Sequence, residues 1–260
     1  MKPDPSYFDI RIATSEIDLL AAQRLRYRVF VEELGGDGPM VDHDRRLEID
    51  EFDPVVDHLC LIDTRRSKEA LDHVVGVYRL LPGRRAAEFG RFYCDAEYDL
   101  TVLRHSGRKL LELGRSCVDP EFRGGSGMFL LWNALSEYVL ELGVEVLFGV
   151  ASFHGTDIPS LAPSLSWLHQ HHLAPPALRP VARPEGYQSM DLIPAERLDR
   201  REAIVGMPAL IKAYLRLGGQ VGEGAYLDRT FNTTDVFLLM DTAAMSKRHR
   251  EFYTSRWENT

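Results

Sequence analysis

Cysteine is scarce: Cys60, Cys94 and Cys117 are the only three among 260 residues, widely spaced and without a Cys-x-x-Cys pair. An odd, scattered set fits a reducing cytoplasm and argues against structural zinc. No apolar run reaches the about 20 residues that span a bilayer, and Met1-Lys2-Pro3-Asp4-Pro5 offers no apolar signal segment. The protein is therefore expected to stay in the cytoplasm. An excess of basic residues is also missing. The formal net charge of -8 argues against nucleic acid as a bulk partner, because phosphate binding depends on clustered Lys and Arg. There is no internal repeat and no low-complexity tract. Gly-x-Gly-x-x-Gly is absent, and no Gly-Lys-Ser/Thr follows the Gly-rich loop, so neither a dinucleotide loop nor a Walker loop is present.

What the chain does have is 45% hydrophobic residues, enough for one large core or a core with a small appended lobe. Tyr7 to Ala13 reads as a strand, and Ser15 caps a helix running to about Leu34, stopped by Gly35-Gly36. A long acidic, turn-rich loop follows to Asp57. His58–Thr64 and His73–Leu81 read as a hairpin around a polar turn, and a short helix is expected over Glu97–His105. The strand Leu110–Val118 leads through Arg123-Gly124-Gly125-Ser126-Gly127 into a helix, Ser126–Leu142, with Leu131, Leu135 and Val139 at helical spacing. Val146–Phe153 continues as a buried strand. This order predicts an α/β sheet with a crossover helix. Beyond it come a helix to about His172, a Pro-rich passage, a strand near Tyr187–Leu192, a helix near Pro208–Leu217, closing strands at Tyr226–Arg229 and Val236–Met240, and a basic, aromatic tail from Lys247 to Trp257.

Several polar residues sit where packing alone does not require them. Arg26 and Phe30 are four apart on the first helix, and Glu48, Asp50 and Asp53 crowd three carboxylates into six residues. Arg79 lies in the apolar strand Val74–Leu81, and Glu112 and Arg115 interrupt the strand before the Gly-rich loop. N–H groups of such a loop at a helix start converge on an anion, which suits a phosphate. His169, His171 and His172 do not make a metal site, because adjacent helical residues point about 100° apart and no carboxylate ligand accompanies them. Nothing beside Cys117 marks it as a nucleophilic thiolate.

The segments Leu25-Arg26-Tyr27-Arg28-Val29-Phe30, Glu48-x-Asp50-x-x-Asp53, Gly76–Pro82 and Glu112-x-x-Arg115 resemble, in order and spacing, those of acyl-homoserine-lactone synthases, which belong to the GNAT superfamily. Those synthases carry a tryptophan after the first helix where this chain has Gly35-Gly36. Ser166–Pro175, Pro208–Gly218 and Phe231–Phe237 are similar to the bacterial ornithine acyl-carrier-protein N-acyltransferases, and with them the resemblance runs almost end to end.

The resemblance implies a GNAT-like mixed β-sheet flanked by helices, with an acyltransferase core over residues 1–155 and a C-terminal α+β extension over 156–260. It implies transfer of a 3-hydroxyacyl group from acyl carrier protein to the α-amine of ornithine, with lysine or glutamine as alternative acceptors. Amide formation from an amine and a thioester needs a proton acceptor and oxyanion donors but no protein nucleophile. Glu112 is then expected to orient or deprotonate the amine, with Arg115 supporting it. Arg26, Phe30, Glu48, Asp50, Asp53 and Arg79 would bind the amino acid. The arginines would grip its carboxylate or pair with the acids, and Asp50 and Asp53 would face its cationic end. Val118, Arg123, Gly124, Gly125, Ser126 and Gly127 would hold the phosphopantetheine arm. The loop departs from the coenzyme A pattern Gln/Arg-x-x-Gly-x-Gly/Ala, which favours a carrier-bound donor over coenzyme A. No permanently bound cofactor and no metal is expected. An acidic carrier needs a basic face, for which Arg84, Arg85, Arg104, Arg108 and Lys109 are the candidates. The helix Pro208–Leu217 is amphipathic enough for peripheral contact with the inner face of the cytoplasmic membrane, although core packing is the preferred reading. Lactone synthesis from S-adenosylmethionine and a catalytically silent acyl-binding protein are the alternatives.

Overall fold

The structure, a computed structural model, describes residues 7–123 and 127–243. Gly124, Gly125 and Ser126 of the proposed phosphate cradle, and the tail from Lys247, lie outside them. In chain order the elements are β1 (Phe8–Ile12), α1 (Glu16–Arg26), β2 (Asp57–Asp63), β3 (Val74–Pro82), α2 (Gly83–Phe89), β4 (Tyr98–Asp99), α3 (Thr101–His105), β5 (Leu110–Val118), α4 (Gly127–Leu142) and β6 (Val146–His154). They continue with α5 (Ile158–His172), β7 (Val181–Ala182), β8 (Tyr187–Gln188), α6 (Arg200–Val205), α7 (Ala209–Arg216), β9 (Gln220–Asp228) and β10 (Thr233–Asp241). They group into two compact units, neither continuous in sequence. One holds the chain to Gly90 together with Leu113–Gly143, and the other holds Arg91–Glu112 and the chain from Val144. Residue 155 falls inside the second unit.

In the first unit β1, β2 and β3 run antiparallel, with Ile10 opposite Leu61 and Leu59 opposite Tyr78, and β5 borders β3. Strands β2 and β3 are buried almost throughout because both faces are covered. Helix α1 starts at Ser15, whose Oγ accepts the Asp18 N–H at 3.2 Å. Its Ala21, Ala22 and Leu25 pack on Cys60, Ile62, Val74, Val77 and Cys117. Helix α4 covers β1, β2 and β3 and buries Leu131, Leu135 and Val139. It comes so close that a Cβ on Gly76 would lie 2.9 Å from Leu131 Cδ1 and 3.2 Å from Leu61 Cβ. After Arg26 the first helix widens into a π-helical stretch, Tyr27–Glu33, a local departure that clusters at functional sites.

In the second unit Leu110–Glu112 of β5 pairs in parallel with β6, ending at Glu112 opposite Phe148. This is the parallel pair that the crossover helix predicts. Beyond it β10 runs antiparallel to both β6 and β9. The short strands β7 and β8 both pair with β9, and β4 pairs with β7. Tyr98 is fully buried, donates its hydroxyl to the Asp235 carbonyl at 2.9 Å and accepts the Phe237 N–H at 3.2 Å. It ties β4 to the core where Phe92, Phe148 and Phe237 stack.

Some expectations shift. The helix expected over Glu97–His105 is confined to Thr101–His105, because the residues before it form a 3-10 turn and the edge strand β4. Near Tyr187 only Tyr187–Gln188 pairs as a strand. On α7 Ile211 and Tyr214 are buried, as core packing requires. Among the described residues no helix is long and apolar enough to cross a membrane.

Candidate active site

The first unit gathers six residues singled out in the sequence into one network. Arg26 is completely buried and forks onto Asp53, with Nη1 to Oδ1 at 2.7 Å and Nη2 to Oδ2 at 3.0 Å. Its Nε donates to Glu48, and Nη2 also reaches the Glu48 carbonyl at 2.5 Å. Arg79 donates to Asp50 at 2.5 Å and to Asp53 at 3.2 Å. Arg115 donates to Glu48 at 2.9 Å and Asp50 at 3.5 Å, with its guanidinium 5.9 Å above the Phe30 ring. Gln23 adds a bond to Asp53 at 2.9 Å.

Local backbone explains how these side chains meet. Arg26 closes α1, whose buried face aims it inward, and Asp50 folds its loop by accepting the Phe52 N–H at 2.9 Å. Arg115 takes φ of 47°, in the left-handed region that a non-glycine strand residue rarely visits. Such a kink re-aims the side chain out of strand register.

Three guanidinium groups thus face three carboxylates. Burial would raise the Asp53 carboxyl, but the charge and hydrogen bonds of Arg26 and the charge of Arg79 outweigh it and hold the group down to about 2. Glu48 is likewise lowered, burial being overcome by Arg26, Arg115 and Arg79. Burial and the neighbouring Arg115 and Arg26 charges lower Arg79. Of the two uses expected for the arginines, the structure displays the pairing with the acids. Arg26 and Asp53 bind each other in the interior, whereas Arg115 and Asp50 are only partly buried.

Glu112 belongs to the second unit. Its two carboxylate oxygens accept the backbone N–H groups of Tyr93 and Cys94, each at 2.7 Å. Those residues open the 3-10 turn Tyr93–Ala96, fixed at its start by the Asp95 carboxylate accepting the Phe92 N–H at 2.7 Å. A buried carboxylate on an apolar strand is therefore oriented by two main-chain donors. This turn went unnoticed in the sequence, although the Asp three residues after Phe92 is a local capping signal.

Residues 25–133 match the acetyltransferase (GNAT) domain family. The chain is 65% identical over 258 residues to the L-ornithine N(alpha)-acyltransferase of Rhodobacter capsulatus, covering 99% of both proteins. It is 40% identical to that of Agrobacterium fabrum, covering 94% of this chain and 84% of the relative. The chain belongs to this acyltransferase family. Solved structures agree on the fold of this acyltransferase. The CoA-dependent acyl-homoserine lactone synthase BjaI, with SAM and isopentyl-CoA, superposes with TM-score 0.51 at 15% identity, over 93% of this chain and 82% of that one. FeeM, an N-acyl amino acid synthase from uncultured soil microbes, gives TM-score 0.51 at 13% identity, over 94% and 97%.

The remaining candidates fall as follows. In the acyltransferase Arg123 donates to Glu33 at 2.5 and 2.7 Å and to the Val118 carbonyl at 2.9 Å, which anchors the strand end before the loop. Gly127 is buried at the start of α4. The basic residues expected to meet a carrier have acidic neighbours. Arg84 pairs with Glu88 at 3.0 Å, Arg85 with Asp57 at 2.7 Å, Arg104 with Asp95, and Arg108 with Glu145 at 3.1 Å and Asp241 at 2.8 Å. The Lys109 N–H bonds Glu145 at 2.9 Å. Burial pushes the Cys60 and Cys117 thiols up to about 12 and raises Cys94 well above its ordinary value, which argues against all three as nucleophiles. His171 stacks on Trp167 at 3.8 Å and bonds its carbonyl, a packing role.

Proposed function

We propose that this acyltransferase moves a 3-hydroxyacyl group from the phosphopantetheine thioester of acyl carrier protein to the α-amine of ornithine. The product is lyso-ornithine lipid, the first intermediate of ornithine lipid synthesis. The acceptor follows the activity named for the relatives. The observation that carries the chemistry is Glu112, a buried carboxylate held by the Tyr93 and Cys94 N–H groups.

The amine nitrogen attacks the thioester carbonyl, a C–N bond forms, the C–S bond breaks, and the thiolate leaves. A proton must leave the nitrogen, and one must reach the sulfur. A carboxylate offers about four lone-pair sites. With its plane fixed by the two main-chain donors, Glu112 is oriented to accept an N–H of the attacking amine, directly or through a water. Arg115 and Asp50 are the less buried members of the first unit's network. Arg26, Arg79, Glu48 and Asp53 position them. The reaction calls for no resident cofactor. The carrier-bound donor is favoured by the Gly-rich loop before α4, whose pattern departs from that used for coenzyme A.

Glu112→Ala should lower kcat by about 100-fold or more, the scale of a lost proton acceptor, with the KM for ornithine moving far less. Glu112→Gln keeps the shape, but its amide sets an NH₂ against one of the two N–H donors, so it should be impaired almost as much. Wild-type kcat in both variants at unchanged melting temperature would remove Glu112 from the chemistry.

A further inference from the structure

The second unit contains a carboxylate cluster that sequence spacing conceals, since its members lie far apart in the chain. Glu97 follows the turn that Glu112 holds, Asp228 ends β9, and Asp235 lies on β10 opposite Tyr226 and Ser152. One carboxylate oxygen from each comes within 4.8 Å of the others. Glu97 and Asp235 are buried, at 7% and 4% exposure. The Thr233 hydroxyl donates to Asp235 Oδ2 at 3.2 Å, while Asp235 Oδ1 is buried with no hydrogen-bond partner. Asp228 Oδ1 accepts the N–H groups of Thr230 and Phe231 at 2.8 and 3.0 Å, which fixes that carboxylate in place. The nearby Arg183 turns its Nε to the Asp95 carbonyl at 2.6 Å.

A cleft of about 430 Å³ opens beside the cluster, lined by Glu185, Tyr187, Tyr226, Asp228 and Arg229 among others. Gly186 permits it: a Cβ there would sit 2.6 Å from the Tyr226 ring. Asp228 belongs to both the cleft and the cluster. Burial above all, with the Asp228 charge, pushes the Asp235 carboxyl up to about 6 against the pull of the Ser152 and Thr233 hydroxyls. Placing a charge here without a cation is therefore unfavourable.

We propose that Glu97, Asp228 and Asp235 form the subsite for the side-chain ammonium of the amino-acid acceptor, reached through the cleft beside Tyr187 and Tyr226. The inference rests on the reading that the acceptor is ornithine. A primary ammonium has three N–H donors in a tetrahedral fan, and acceptors about 2.8 Å from it stand about 4.6 Å apart. Three carboxylate oxygens, none more than 4.8 Å from another, match that fan in number. Ca²⁺ or Mg²⁺ would need waters or further oxygens to complete a shell of six or more, whereas an ammonium needs only these three. Glu97 follows the same turn that Glu112 holds: Glu112 accepts the Cys94 N–H, and the Glu97 N–H donates to the Cys94 carbonyl at 3.1 Å.

The test compares ornithine with norvaline, the same skeleton without the side-chain amine, as acceptors for the full-length protein. Wild type should favour ornithine by about 100-fold or more in kcat/KM. Asp235→Asn and Glu97→Gln should each lower kcat/KM for ornithine by at least about 30-fold and leave norvaline within about 3-fold, collapsing the ratio. The partly exposed Asp228→Asn, together with melting curves, covers the case in which a buried variant folds poorly, and calorimetric binding of ornithine gives a readout independent of turnover. An unchanged ratio, or an equal fall for both acceptors in all three folded variants, overturns the subsite while leaving the ornithine reading intact. Ornithine binding lost in EDTA and restored by Mg²⁺ or Ca²⁺ overturns it in favour of a metal site. Wild-type protein that acylates other amino acids but never ornithine contradicts the parent reading as well.

Discussion

Arg26 shows what a single buried charge requires of its neighbours. Fully enclosed, it is tolerable only because Asp53 and Glu48 supply countercharge and acceptors on every side. Asp53→Asn should therefore cost about 3–5 kcal/mol in a denaturant titration, since it strands a buried guanidinium. The pH dependence has a definite sign. A carboxyl lowered from 3.8 to about 2 stabilises the fold above its unfolded value by about 2 kcal/mol, and this is lost as pH falls through 4 toward 2. The wild-type advantage over Asp53→Asn should narrow in that window; a constant gap from pH 7 to pH 2 would contradict the assignment. At this scale the sequence was informative about membership and silent about pairing. Arg26, Glu48, Asp50, Asp53, Arg79 and Arg115 are conspicuous as charges in apolar or crowded settings, and they do meet. Which guanidinium meets which carboxylate depends on the φ of Arg115 and the fold of the loop, and neither follows from spacing. Glu97, Asp228 and Asp235 were illegible for the same reason: three tertiary neighbours with no local pattern.

Among the elements, those with a strong period and a cap were legible. Ser15 and the apolar spacing set α1, and Gly143 stops α4. Short elements were not. Strand β4 has two residues and exists because Tyr98 is buried behind it, a tertiary cause. Helix α6 did leave a signal, since Asp199 caps it by accepting the N–H groups of Arg201 and Glu202 at 2.7 and 3.0 Å. Helix α4 lies close on β3 at Gly76, where a Cβ would sit 2.9 Å from Leu131 Cδ1. Gly76→Val should destabilise by about 1–3 kcal/mol, the cost of overpacking, and Leu131→Ala should partly relieve it. Strictly additive effects of the two substitutions would show that α4 does not press on Gly76.

For the whole molecule, a net charge of -8 must be reconciled with the proposed acidic carrier as donor. Local arginines are the proposed means, and Arg84 is the most accessible of them, its side chain 89% exposed beside Glu88. Charge reversal at Arg84 and Arg85 together should raise the apparent KM for acyl carrier protein several-fold and flatten its salt dependence, because rim charges act chiefly on encounter. Identical kinetics would dismiss these residues as the docking face. The α/β order and the crossover were legible from the β-strand and helix periods, whereas the division into two units was not, because each unit is built from separated stretches of chain.

The most direct measurement is a mass-resolved assay of purified protein with 3-hydroxyacyl carrier protein or the matching acyl-coenzyme A and a mixture of free ornithine, lysine, glutamine and norvaline. The account predicts Nα-acyl-ornithine as the dominant product, formed from the carrier-bound donor. Strict dependence on acyl-coenzyme A, acylation of a different amino acid, or release of methylthioadenosine when S-adenosylmethionine is supplied would contradict it.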